Sequence, residues 1–138
     1  MNAIIKRATP KHCFDIIKIC REGQLFEYNH FFYALLVALG WAYVAVIEDQ
    51  VVGYICYLNF PIISRAFLLQ VGVTKSYRGQ GLGSKLINDT CNKIKRKYRV
   101  ETVMAHTLKP RVVKLFNRQR WSIITSILGV FLVAKKIR

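Results

Sequence analysis

A chain of 138 residues, 53% of them hydrophobic, is long enough for one buried core, too apolar to be disordered, and free of internal repeats and low-complexity tracts. Its 22 Lys and Arg against 7 Asp and Glu give a formal charge of +15, which attracts polyanions, acidic proteins or acidic substrates. Cys13, Cys20, Cys56 and Cys91 form no C-x-x-C pair and no signal peptide precedes them, so they read as reduced, mostly buried thiols of a cytoplasmic protein; His12, His30 and His106 do not join them at metal-ligand spacing, and no metal is expected.

Residues 3–8 read as a first strand, and Thr9-Pro10 as an N-cap followed by proline at the first helical position. The helix that follows runs to about Glu22, with Cys13, Ile16, Ile17 and Cys20 on one stripe and Gly23 as its stop. After a linker to about Asn29, the uncharged stretch 31–47 stands at the lower length limit for a bilayer span. Gly40 divides it, and its second half is rich in Val and aromatic residues, so a short buried helix (30–38) and a central strand (41–47) account for it better. Glu48-Asp49-Gln50 predicts a tight turn into a strand over 51–59, which Pro61 ends, and a further strand occupies 66–73. Leu82, Leu86, Ile87, Cys91, Ile94 and Tyr98 then predict an amphipathic helix that finishes among Lys93, Lys95, Arg96, Lys97 and Arg99, cations that suit the negative end of a helix. A strand over 100–107, a helix from Pro110 to about Gln119 and one or two strands over 121–135, with Gly129 as the candidate bend, complete the chain.

The chemistry concentrates between Val71 and Ser84. An apolar strand ends in Val71-Gly72-Val73, and Gly79, Gly81 and Gly83 lead into a helix N-terminus, whose unpaired N–H groups carry about half a positive charge, with Arg78 adding a full one. Such a turn favours a phosphate or pyrophosphate held by backbone amides. The spacing is neither the G-x-G-x-x-G of dinucleotide-binding folds nor the G-x-x-x-x-G-K-[ST] of a P-loop, because Gly83-Ser84-Lys85 has the last two residue types reversed.

What does fit is R-x-x-G-x-G, here Arg78-Gly79-Gln80-Gly81-Leu82-Gly83, which resembles the coenzyme A loop of the GCN5-related N-acetyltransferase (GNAT) family. The element order β, α, α, β, β, β, α, β, α, β extends the resemblance over nearly the whole chain, and it implies one domain of α/β (α+β) class, residues 1–138. The GNAT fold so implied has a mixed, mostly antiparallel sheet of six to seven strands and about four helices. By resemblance, acetyl-CoA is the cosubstrate. Its pyrophosphate would lie on the amides of Arg78, Gly79, Gln80, Gly81, Leu82, Gly83 and Ser84, and its pantetheine arm along the main chain of Val71, Gly72 and Val73. Partners would be acetyl-CoA and an amine acceptor: a protein N-terminus, a lysine, a small amine or a nucleic-acid-associated substrate. The acceptor and the oligomeric state stay open, a homodimer included.

The family's acid and base do not carry over. The positions that align with its glutamate base are Phe67 and Met104, and its tyrosine proton donor aligns with Phe116, which has no proton to give. The same late segment, aligned on Trp121, departs from the family pattern at Lys109, Val112 and Arg120 and keeps its leucine as Leu115. Three explanations remain open: an amine of low pKa attacks unaided; Glu27 or His106 serves instead; or the chain is a CoA-binding or polyanion-binding module without transfer.

Overall fold

The computed structural model describes residues 2–98, 100–107, 114, 116–127 and 130–137. Strands β1 (Ile4–Arg7), β2 (Ala42–Ile47), β3 (Gln50–Phe60), β4 (Arg65–Val73), β5 (Thr102–Thr107), β6 (Ser122–Ile127) and β7 (Val130–Lys136) form a mixed sheet in the order β1-β2-β3-β4-β5-β7-β6. Helices α1 (Cys13–Glu22), α2 (His30–Leu39) and α3 (Leu82–Lys97) interrupt the strands, and residues 116–118 are helical. Pro110, Lys109, Val112, Leu115 and Gly129, on which the expected late helix, its family pattern and the last bend rest, lie outside the described residues. The chain divides into two compact units, one of residues 1–57 and 70–90, the other of residues 58–69 and 91–138.

In the first unit, Pro10–His12 forms a 3-10 turn before α1, a tighter start than the continuous helix expected from Thr9-Pro10. The Thr9 N–H donates to His12 Nδ1 (2.9 Å), which closes that turn. Gly23 does cap α1, but in a right-handed conformation (φ −83°), and the reversal falls on Gln24 at φ 54°. Asn29 caps α2 by accepting the Phe31 N–H (2.8 Å), and Gly40 (φ 78°) ends it in the left-handed region. The stretch 31–47 is thus a short helix and a strand, and no helix among the described residues is long and apolar enough to cross a membrane. Glu48 (φ 49°) and Asp49 (φ 62°) turn β2 into β3, antiparallel with Tyr43↔Ile55 and Val44↔Tyr54. The core here combines Ile16, Ile17 and Cys20 of the predicted α1 stripe with Tyr33, Val44, Tyr54, Leu86 and Ile87; Cys13 of that stripe is only partly covered.

In the second unit β4 pairs with β5 in parallel, from Arg65↔Thr102 to Leu68↔Ala105. Strand β7 lies antiparallel to both β5 and β6, so the one-or-two-strand segment after Trp121 is two strands. Ala66, Leu68, Ile94, Val103, Ala105, Phe116, Trp121 and Val133 are buried. Phe116 packs against the Trp121 ring at 4.8 Å, which makes it a core residue.

Candidate functional site

Strand β4 alternates a buried face (Ala66, Leu68, Gln70, Gly72) with a half-buried one (Phe67, Leu69, Val71, Val73). Gly72 therefore faces the core. A Cβ there would stand 2.5 Å from Cε1 of the fully buried Tyr54 ring and 3.2 Å from Ile19 Cγ2, so packing demands the glycine. After Val73 the chain turns through a 3-10 segment, Lys75–Tyr77, anchored by a residue the sequence reading passed over. The Glu22 carboxylate, at the end of α1, accepts the Thr74 hydroxyl (3.0 Å) and the Lys75 N–H. The hydrogen bond from the Lys75 amide, before that from Thr74, holds the Glu22 carboxyl below the usual carboxylate range.

Arg78 folds back on this turn. Its Nε donates to the Val73 carbonyl (2.9 Å) and its backbone N–H donates to the Lys75 carbonyl (3.3 Å). Gly79 (φ 77°) and Gly81 (φ 82°) then take the left-handed conformation, and nothing lies within 4 Å of a Cβ built on either. Gly83 differs: its φ is not positive and a Cβ there would make ordinary contact with Val73 Cγ2 at 3.9 Å. Helix α3 starts at Leu82, and the Lys85 N–H donates to the Gly81 carbonyl (3.0 Å), so the amides of Leu82, Gly83 and Ser84 precede the first intrahelical bond. Tyr77, Gln80, Gly81, Leu82 and Lys85 line a cavity of about 280 Å³ with Asn2, Ala3 and Ile47. A larger cleft of about 750 Å³, which Lys6, Lys11, His12, Lys18 and Glu22 help to line, includes no residue of 78–84.

A second missed residue is Gln70, buried in β4. Its Oε1 accepts the hydroxyls of Tyr33 (3.0 Å) and Tyr54 (2.8 Å), and its Nε2 donates to the Phe26 carbonyl. The Tyr33 hydroxyl in turn accepts the Tyr28 N–H (3.2 Å), so one amide ties the loop between α1 and α2 to β4. Burial pushes both tyrosine hydroxyls up, which keeps them protonated donors. A polar residue at a core-facing position of an apolar strand was the available signal.

Glu27 is an ion-pair member: Arg21 Nε lies 2.5 Å from its carboxylate and His30 Nε2 3.8 Å. The Arg21 hydrogen bond is the chief cause that lowers its pKa, which weakens it as a base. His106 is exposed on β5 and stacked on Phe67, with ring centroids 5.3 Å apart. Phe67 is also the register partner of Met104, so Phe67, Met104 and His106 stand together, two apolar side chains and one imidazole. Desolvation pushes the buried thiols of Cys56 and Cys91 each up to about 12, which disfavours the reactive thiolate. No cluster of three or more His, Cys, Asp or Glu that could hold a metal occurs among the described residues.

The chain belongs to the acetyltransferase (GNAT) family, whose sequence profile matches residues 4–119. No curated protein sequence matches it. Solved structures agree closely in fold. Ard1 from Thermoplasma volcanium superposes with a TM-score of 0.86 at 14% identity, covering 100% of this chain and 99% of that one. Naa50 of Arabidopsis thaliana, in complex with the bisubstrate analogue CoA-Ac-MVNAL, gives 0.84 at 20% identity over 99% of this chain and 100% of that one. The ribosomal-protein-S18-alanine N-acetyltransferase from Escherichia coli gives 0.81 at 14% identity, with coverage of 99% and 94%.

Proposed function

We propose that the chain is an acetyl-CoA-dependent N-acetyltransferase acting on a primary amine, with residues 1–138 working as one catalytic domain. The observation that carries this reading is the pair of positive-φ glycines, Gly79 and Gly81, with open space above them at the start of α3. That geometry suits a pyrophosphate on main-chain donors. The cofactor residues so proposed are Arg78 to Ser84, with the main chain of Val71, Gly72 and Val73 for the pantetheine arm. Arg78 has its own amide engaged with Lys75, and its Nε holds the Val73 carbonyl. Its role is therefore to set the loop, and Leu82, Gly83 and Ser84 supply the amides.

Acetyl-CoA supplies an activated acyl thioester. The acceptor nitrogen bonds the acetyl carbon as the C–S bond breaks, the amine loses a proton and the sulfur gains one. Phe67, Met104 and Phe116 move no protons, and Glu27 is held as a weak base by Arg21. An amine already neutral is then the better nucleophile, which favours α-amines, with pKa about 7.7–8.0, over lysine at about 10.4. We assign the acceptor to peptide N-termini on this ground. Two structural neighbours point the same way in their own right, one holding a peptide bisubstrate analogue and one named for an alanine of ribosomal protein S18.

Thiol release from acetyl-CoA in the presence of short peptides tests the reading. The expected rate rises with pH along the peptide's own amine titration, and a Nα-blocked peptide gives none. Gly81→Asp brings a carboxylate to the mouth of the loop and is expected to abolish CoA binding in calorimetry while the far-ultraviolet spectrum stays native; unchanged affinity would remove the loop from the site. The three apolar residues at the family's acid and base positions favour one competing reading, a CoA-binding module without turnover. Tight CoA binding with no thiol release across peptides, polyamines and aminoacyl-tRNA would establish that one instead.

A further inference from the structure

The basic charge is segregated. Residues 58–69 and 91–138 hold 14 Lys and Arg against a single acid, Glu101, a formal +13, whereas residues 1–57 and 70–90 hold 8 against 6, a formal +2. Three ion pairs, Arg21–Glu27, His30–Glu27 and Lys85–Asp89, lie in the nearly neutral unit. In the strongly basic unit, the connection between β3 and β4 presents aliphatic and aromatic side chains to water. Ile62 is 99% exposed, Ile63 60% and Phe60 46%.

This tip is held in shape by backbone bonds. Pro61–Ile63 is a 3-10 turn closed by the Ser64 N–H to the Pro61 carbonyl (3.0 Å), and the Ser64 carbonyl accepts the N–H groups of Glu101 (2.9 Å) and Thr102 (3.3 Å). The Glu101 carbonyl accepts the Ile137 N–H (2.8 Å). Thr102 is flanked in register by Arg65 on one side and Lys136 on the other. The exposed Arg96 and Lys97 end α3, a few residues before Glu101. An apolar tip thus stands beside cations, in a unit whose single Asp or Glu is Glu101.

Each half of this arrangement has a different natural counterpart. Cations alone would suit nucleic acid, but a phosphate backbone offers nothing to three exposed apolar side chains. An interface that takes apolar side chains into its acyl boundary and presents anionic headgroups satisfies both. We propose that this edge of the second unit is a peripheral docking surface for an anionic bilayer, with Phe60, Ile62 and Ile63 entering the interface and Arg65, Lys97 and Lys136 meeting headgroup phosphates. The chain lies on the membrane through this surface. The assignment is independent of acetyl transfer.

Sedimentation of the full chain with vesicles tests it. Phosphatidylcholine vesicles containing phosphatidylserine are expected to carry the protein down, and pure phosphatidylcholine vesicles to do so much more weakly. The double variant Ile62→Asp/Ile63→Asp should lose most of the binding with an unchanged melting curve. Each of Arg65→Gln, Lys97→Gln and Lys136→Gln should weaken binding about fivefold, the factor for one cation near an anionic surface. Ile62→Trp provides a second, direct readout: added indole emission should shift to the blue with anionic vesicles and be quenched by brominated acyl chains. Three results overturn the proposal. These are no sedimentation with anionic vesicles, equal binding by the double variant, or Ile62→Trp emission that ignores brominated lipid. Binding of a duplex oligonucleotide or an acidic peptide where vesicles fail would assign the surface to that partner class.

Discussion

The four glycines of the Val71–Ser84 stretch fall into three different situations. Gly79 and Gly81 hold positive φ with empty space around them, Gly83 sits in ordinary contact with Val73, and Gly72 is needed because the Tyr54 ring fills the place of a side chain. Gly72→Ala is expected to cost about 1–3 kcal/mol, the usual cost of overpacking, read as a lower midpoint in urea with an unchanged slope. Gly81→Asp should cost only about 1 kcal/mol of backbone strain, because nothing there is crowded, while removing CoA binding. His12 adds a pH dependence. Desolvation lowers its pKa first, then the charges of Lys11 and Lys6, and its Nδ1 accepts the Thr9 N–H, which only the unprotonated nitrogen can do. The folded chain refuses a proton that the unfolded chain takes near 6.5, so this contribution is intact above that pH and is lost as the pH falls below it. The melting temperature should drop over that window, and His12→Gln should flatten the drop.

Strands, helices and their order were largely legible, because apolar periodicity and turn residues are local signals. Thr9-Pro10, the linker end near Asn29, Gly40 and the Glu48-Asp49 turn all mark real boundaries. The 3-10 start of α1 was not legible, since it depends on a histidine side chain folding back on Thr9. Nor were the two clamps on the site's surroundings. Glu22 holds the turn at Thr74, 52 residues later, and Gln70 holds the Phe26 carbonyl, 44 residues earlier. Gln70→Leu would take the amide donor from that carbonyl and the acceptor from the buried Tyr54 hydroxyl, while the Tyr33 hydroxyl keeps the Tyr28 N–H; about 1–3 kcal/mol is the expected loss of stability for a buried group left unpaired. In the acetylation assay this change should raise the KM for the peptide and leave CoA affinity near that of the unaltered chain; an equal fall in both would mean that Gln70 serves only folding.

The family assignment rests on features that need no long-range knowledge. An R-x-x-G-x-G loop, a strand before it and an amphipathic helix after it are all carried by neighbouring residues, since glycine conformations and helix ends are set within a few bonds. Net charge was equally plain, yet its partition into +2 and +13 needed the division of the chain into two units, because residues 58–69 join 91–138 through contacts made in space, the pairing of β4 with β5 and the Ser64 carbonyl bonds among them. Acid and base assignments fall on the other side too. The chain order could name Glu27 and His106, but a proton carrier is defined by what surrounds it: the turn after α1 puts Arg21 against the first, and strand pairing puts the Phe67 ring against the second. Local chemistry, then, was written in the order of residues, whereas burial, pairing and the neighbours of each charge arose when distant segments met, because those depend on separations in space that no spacing along the chain encodes.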